Sequence, residues 1–371
     1  MADGRPVRIG VVGLGLIAQA VHLQNLHTLR EQLPVTYVCD LSATLAAQVA
    51  AEWGVPCHTA DIDDVLASPD VDAVLLLTPG THAELAYRAL RAGKHVLAEK
   101  PLAHTVRECR ELAALAGEAG LVLQVGYMKM YDPAVTRARA ELPGVGVPRL
   151  VRVTVLHPAD EPQAAHQRQV RHRDGDPGAA AAAVAYERAR LDEALGAIGD
   201  PYRALYDEVL NGSVCHQLSL LRSVFGEAPL RWSYAQLGTS TAGARLEEPP
   251  QLQAVGTLGE SQLVLSWNWL PDYPEYEEEL AVFGSAGRLR LALPGPYLRD
   301  HRAELVVERL DGDDRAATRF RADHGTGFTR ELQAFHLAVA SGGPVLSTAA
   351  GAAYDTDALQ RLVHVLAGDG S

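Results

Sequence analysis

Hydrophobic and polar positions follow two different rhythms along this chain. From Val7 to about Val125, short runs of consecutive apolar residues alternate with stretches whose apolar residues recur at helical spacing. Val7–Val12 is apolar apart from Arg8 and Gly10, the signature of a strand buried on both faces. A helical stretch runs from the following glycine loop through about Leu33. A second apolar run, Val35 to Cys39, ends on Asp40. Ser42 is placed to cap a helix over Leu45–Trp53, which Gly54 closes. Asp61–Ala67 reads as a short helix, Val71–Leu77 as a buried strand, and Thr81–Ala92 as a helix with Leu85, Ala86, Ala89 and Leu90 on one face. The strand Lys94–Leu97 and a helix from Thr105 come next, and Leu121–Val125 is a last strand. Strand and helix in alternation predict right-handed βαβ units and a parallel sheet.

Beyond Gly126–Asp132 the period falls to two. In Arg149–Leu156, Val151, Val153 and Val155 share one face while Arg152 and Thr154 share the other. Similar runs recur at Leu230–Leu237, Gln251–Leu258, Gln262–Trp269, Glu279–Phe283, Arg288–Leu293 and Glu304–Arg309. That is the pattern of half-buried antiparallel strands. Phe328–Ala340 and Ala349–Leu366 read as helices. A less regular insert, about 157–210, contains an Ala-rich helix over Ala179–Leu195. The fold class expected is therefore α/β: a parallel sheet over 1–127, then half-buried antiparallel strands in an open sheet over 128–371. An open sheet needs cover on its second face, so a homodimer or homotetramer through it is expected.

Two stretches carry candidate chemistry. Gly13-Leu14-Gly15-Leu16-Ile17-Ala18 follows the first strand and opens a helix. The first glycine allows a tight turn, the second lets backbone approach a pyrophosphate, and the helix N-terminus supplies N–H donors. Ala18 stands where the fingerprint has its third glycine. Asp40 is placed to accept hydrogen bonds from a ribose 2′-hydroxyl and would repel a 2′-phosphate, so NAD is expected, with NADP possible. The second stretch is Glu99-Lys100-Pro101, where a charged pair ends a buried strand at the sheet edge that binds ligands in open α/β folds.

The glycine loop, the Thr78-Pro79-Gly80-Thr81-His82 turn and above all Ala98-Glu99-Lys100-Pro101 resemble the glucose–fructose oxidoreductase/inositol dehydrogenase (Gfo/Idh/MocA) family, in order and spacing, over the first 125 or so residues. The resemblance implies a Rossmann domain followed by an α/β domain with a large, mostly antiparallel sheet, and NAD(P)-linked hydride transfer to or from a secondary alcohol or ketone of a sugar, sugar phosphate, nucleotide sugar or cyclitol. It implies a cofactor site at Gly13, Gly15, Leu16, Ile17, Asp40, Thr78, Pro79, His82, Glu99 and Lys100. It also places Lys100 beside nicotinamide and substrate, as the proton-handling group. The tail of the Leu210–Arg222 stretch, with Leu220, Leu221, Val224 and Phe225 ending at Gly226, resembles the family's catalytic helix, with His216 at the histidine position. Family members commonly carry Asp four residues before that His and three after; here those positions hold Gly212 and Ser219. An Asp there would fix the imidazole tautomer and support the imidazolium, so more of the proton transfer falls on Lys100, with His216 and Tyr127 assisting. Two alternatives stay open: a cofactor-binding regulator without turnover, and an NAD-assisted glycosidase or lyase.

Arg168, Arg171 and Arg173, with His172 among them, form a basic run in the insert. Arg168, Arg171 and His172 are expected to reach a substrate phosphate if one is present. Acids exceed bases by 46 − 33, a formal charge of −13, which disfavours nucleic acid and anionic membranes as partners. Cys39, Cys57, Cys109 and Cys215 show no metal-ligand spacing. With no apolar run near a membrane span and no leader pattern, a cytoplasmic protein without a metal site is expected.

Overall fold

The computed structural model of the chain describes residues 5–159, 163–238, 251–298, 301–322 and 325–368. The chain divides into two compact units, and not by a single cut after residue 127. The first comprises Met1–Met128, Gln167–Gly196 and Phe328–Thr356; the second comprises Lys129–His166, Ala197–Gly327 and Asp357–Ser371. Half of the irregular insert thus packs with the N-terminal unit, as does most of the penultimate helix.

The first unit begins with β1 (Ile9–Val12), a π-helical turn (Ala18–His22) that continues as α1 (Leu23–Thr28), β2 (Val35–Cys39) and α2 (Ala43–Trp53). Next come β3 (Cys57–Thr59), α3 (Ile62–Ala67), β4 (Ala73–Leu76), α4 (Ala83–Arg91), β5 (His95–Glu99), α5 (Val106–Ala119) and β6 (Leu123–Gly126). The six strands lie in the order β3-β2-β1-β4-β5-β6 and all pair in parallel. Strand order reverses between β1 and β4, so the crevice outside their carboxyl ends is where a doubly wound sheet takes a dinucleotide. Ser42 caps α2 by accepting the Leu45 N–H, and Gly54 ends that helix in a left-handed conformation, as its sequence signals require. The core collects Val7, Ile9, Val11, Leu75, Leu97 and Phe335, each without solvent exposure.

The second unit holds α6 (Pro133–Glu141) and β7 (Pro148–His157); α7 (Pro177–Leu195) returns to the first. A π-helical segment, Leu205–Val214, leads into α8 (Cys215–Phe225). Then follow β8 (Leu230–Gly238), β9 (Gln251–Leu258), β10 (Ser261–Trp269), β11 (Glu277–Gly284), β12 (Gly287–Leu293), β13 (Glu304–Asp311) and β14 (Asp314–Arg321), and after them α9 (Gly327–Ser341) and α10 (Ala349–Ala367). The sheet order is β14-β13-β12-β11-β7-β10-β9-β8, antiparallel throughout except for the parallel β7–β10 pair. The period-two pattern sets its register: Val151, Val153 and Val155 face the core beside Leu263, Leu265 and Trp267. On the other face Glu279 bridges Arg152 and Arg290, at 3.0 and 2.7 Å. β14 has no counterpart in the sequence reading. Its residues are nearly all exposed, so no apolar alternation marks it, and pairing with β13 alone makes it a strand.

Gly256 in β9 shows how close these strands approach. A Cβ there would lie 1.9 Å from the Arg231 carbonyl oxygen of β8, beside an irregularity in the register between Trp232 and Tyr234. Backbone cannot step aside as a flexible side chain does. Gly256→Ala is expected to destabilise the second unit by about 1–3 kcal/mol, read as a lower denaturation midpoint. An unchanged midpoint would show that the two strands separate more easily than this packing implies.

Candidate active site

Chemistry begins at the carboxyl edge of the parallel sheet. Gly13 sits at φ +89°, and a Cβ on it would come within 2.7 Å of the Thr78 nitrogen and 2.8 Å of the Leu77 carbonyl carbon, so only glycine lets the loop pass β4. Gly15 is the opposite case: exposed, with nothing within 4 Å of an added Cβ. It is an open cradle at a helix start. Leu16 and Ile17 follow half-buried. Asp40, at the end of β2, accepts from the Leu14 N–H at 2.9 Å and from the Ser42 N–H at 3.0 Å. The carboxylate is thereby fixed on the β2 side of the switch crevice. One loop packed against backbone, one open glycine and one fixed acid fit a dinucleotide.

The Thr78–His82 turn is tied down by His82. Its ring is buried, with Nδ1 2.9 Å from the Pro101 carbonyl and Nε2 3.0 Å from the Thr78 carbonyl. Burial pulls its pKa down, and a neutral ring can donate to only one of these acceptors. Either way it links the turn after β4 to the turn after β5. Thr78 is half-buried and Pro79 is exposed.

Glu99 and Lys100 occupy the end of β5. The Glu99 carboxylate is buried: His22 Nε2 lies 2.9 Å from Oε1, and the Lys100 N–H donates to Oε2 at 3.1 Å. Gly126 on β6 leaves room for it, since a Cβ there would lie 3.1 Å from Oε2. Burial by itself would push the Glu99 carboxyl up; the His22 hydrogen bond and the charges of His22 and Lys100 more than offset this and hold it low. Glu99 is thus an anchored anion immediately before Lys100, whose side chain is half-buried. Tyr127, one residue beyond β6, is buried.

Behind this edge lies Glu331 of α9, which the sequence reading passed over. It is fully buried, and its backbone carbonyl accepts from Gln124 Nε2 at 3.1 Å, while neither carboxyl oxygen has a hydrogen-bond partner among the described residues. Phe328 of the same helix meets the His22 ring edge-on, centroids 5.7 Å apart. His22 and Glu331 were invisible because they come from a helix interior and from the far end of the chain. The only available signal was a charged residue on the apolar face of a predicted helix.

The three insert residues expected at a substrate phosphate have separate partners. Arg168 pairs with Glu52 at 3.2 Å, Arg171 bonds Gln169, and His172 Nε2 lies 2.9 Å from Gln48 Oε1; all three are exposed and do not converge. Arg168 and His172 thereby reach α2, at Glu52 and Gln48. In the second unit His216 opens α8, half-buried, with its carbonyl accepting from the Ser219 hydroxyl at 3.0 Å. Ser219 therefore serves the helix backbone. At Gly212 an added Cβ would meet nothing within 4 Å.

Burial, followed by the charge of Glu99, pushes the Glu331 carboxyl well above its ordinary 4.5, so the fold favours its protonated form. Unfolded, the same group ionises near 4.5. The native state then holds the extra proton, so this group's contribution is fully present below that pH and is lost as pH rises toward the folded value. Glu331→Gln removes the titration. Its melting temperature relative to the parent is expected to improve from about pH 5 to about pH 8. A difference that stays constant with pH would mean the carboxyl is ionised in the fold.

Residues 7–127 match the model of an oxidoreductase family with an NAD-binding Rossmann fold, GFO_IDH_MocA. Inositol 2-dehydrogenase 3 of Saccharopolyspora erythraea is 36% identical over 156 residues, 41% of this chain and 46% of that protein. The scyllo-inositol 2-dehydrogenase (NAD(+)) of Bacillus subtilis is 34% identical over 137 residues, 37% of this chain and 40% of that protein. The chain thus matches somewhat under half the length of these relatives. The fold is similar over nearly the whole chain to KijD10, a 3-ketoreductase from Actinomadura kijaniata in complex with NADP and TDP-benzene: TM-score 0.69, 23% identity, 97% of each chain. UDP-N-acetylglucosamine 3-dehydrogenase GnnA from Acidithiobacillus ferrooxidans gives 0.70 at 21% identity, over 98% of this chain and 99% of that one. Over residues 7–127, with the fingerprint loop and the Glu-Lys-Pro turn in place, the chain is similar to the Gfo/Idh/MocA oxidoreductases.

Proposed function

We propose that this protein is an NAD(P)-linked oxidoreductase that interconverts a secondary alcohol and a ketone on a sugar- or cyclitol-like small molecule. The observation that carries this reading is the anchored Glu99–Lys100 pair at the carboxyl end of β5, one strand from the switch crevice. The named activities of the relatives support the substrate class. Backbone N–H groups of Gly15–Ile17 would hold the pyrophosphate, Asp40 a ribose hydroxyl, and Thr78, Pro79 and His82 the far side of the crevice. Bound nicotinamide supplies or accepts the hydride. The chain itself must exchange the hydroxyl proton and fix the reacting carbon. Lys100 has the chemistry to exchange that proton. Its backbone is held by the Glu99 carboxylate, and its ammonium or amine can give a proton to a substrate oxygen or take one from it. His216 and Tyr127 are assigned assisting roles.

A regulator that binds cofactor without turnover is favoured by one specific observation. The positions of the two carboxylates expected around His216 hold Gly212 and Ser219, and Ser219 is spent on the helix backbone. Association through the charged outer face of the eight-stranded sheet belongs to the same proposal, and a monomeric mass by light scattering would exclude it.

The test is absorbance at the NADH band with NAD and NADP against free cyclitols and free, phosphorylated and nucleotide-linked sugars. On an active substrate, Lys100→Ala is expected to lower kcat by about 10²–10⁴-fold while cofactor affinity stays near the parent's. Near-parent turnover by that variant would remove Lys100 from the mechanism. Tight cofactor binding with no turnover across the panel would favour the regulator.

A further inference from the structure

The insert returns to the first unit and runs along the edge that takes the dinucleotide. Val170 exchanges two hydrogen bonds with the side-chain amide of Gln19, at 2.8 and 2.9 Å, and the same amide donates to the Leu14 carbonyl of the glycine loop at 2.6 Å. Four residues later Asp174 reaches the start of α2, where the hydroxyls of Ser42 and Thr44 each donate to one of its carboxylate oxygens. The Asp176 N–H donates to the Leu41 carbonyl at 3.4 Å. On the far side of the switch point, Glu187 of α7 accepts from the Thr81 hydroxyl at 2.6 Å and lies 2.7 Å from His104 Nε2. The segment is therefore pinned on both banks of the crevice, beyond β2 by Asp174 and beyond β4 and β5 by Glu187.

We propose that Asp174 determines cofactor specificity: its carboxylate takes the Ser42 and Thr44 hydroxyls beside Asp40, and so refuses a 2′-phosphate and selects NAD over NADP. This rests on the reading of the site as an NAD(P) site. The fold itself does not forbid a 2′-phosphate, because KijD10 was crystallised with NADP. Discrimination has to come from this chain's own residues. Asp40 stands where a 2′-hydroxyl is read, and each of its oxygens accepts one backbone N–H and keeps a further acceptor site. Ser42 and Thr44, two hydroxyls at a helix start, are the donors a phosphate would use. Asp174 holds both, like an internal substitute for that phosphate. The two hydroxyls keep its carboxyl down at about 2, so the charge persists at any physiological pH. Asp174 and Thr44 are exposed while Ser42 is buried, and salt will weaken the effect without abolishing it.

Isothermal titration of NAD and NADP into the parent protein, Asp174→Asn and Asp174→Ala tests this without any substrate. The parent is expected to bind NAD at least about tenfold more tightly than NADP, the scale set by one added charge a few Å from a phosphate at an exposed site. Both variants should tighten NADP by about tenfold and move NAD by less than about threefold, with the gap narrowing at high salt. Asp174→Asn keeps the length of the side chain and guards against loss of the segment's seat. An unchanged NAD/NADP ratio, or equal weakening of both cofactors, would overturn the assignment and leave Asp174 a mere anchor. Failure of the parent to bind either cofactor would overturn the oxidoreductase reading and this inference with it.

Discussion

The buried Glu99 carboxylate is the constraint on which the rest of this site depends. A carboxylate taken out of water is costly unless each oxygen is paired. Here one oxygen faces His22 and the other the Lys100 N–H, while Gly126 leaves the space they need. The arrangement ties three segments together: the helix after the glycine loop, the end of β5 and the end of β6. Displacing the helix or the turn leaves a charge unpaired in the core, so the turn that presents Lys100 is held from behind.

The same anion accounts for Glu331. Two buried carboxyls that share a region do not both ionise readily. His22 lies within hydrogen-bonding distance of Glu99, and the Glu331 carboxyl is pushed up. One acid is pulled toward its charged form and the other toward its protonated form, by surroundings and not by residue type. A third anion, Glu187, is kept low although burial opposes it, by hydrogen bonds from His104 and Thr81. The carboxyl edge of the parallel sheet is thus lined by acids whose charge states are set individually.

Most of the parallel unit was legible in the chain. Apolar runs placed the strands, Ser42 and Gly54 marked a helix, and Gly13, Gly15 and Asp40 named the crevice, because these depend on neighbours within a few residues. The alternating strands of the second unit were legible for the same reason, down to the core-facing set Val151, Val153 and Val155. β14 was not, since an exposed edge strand carries no apolar alternation. The basic run at Arg168–Arg173 looked like a clamp in one dimension; the structure sends its side chains to separate partners on and near α2.

What the sequence determined by itself was local: strand and helix periods, the glycine positions, and the charged pair ending β5. Those properties follow from backbone sterics and side-chain period, which act over short distances. What only the tertiary structure decided was which distant groups meet. His22 reaches Glu99 across 77 residues, Asp174 reaches Ser42 across 132, and Gln124 reaches the Glu331 carbonyl across 207. No period or spacing encodes such pairs, because burial and charge compensation arise only after the chain has closed on itself. Glu99 began as one half of a charged strand end and became, in the fold, the group that fixes where Lys100 stands.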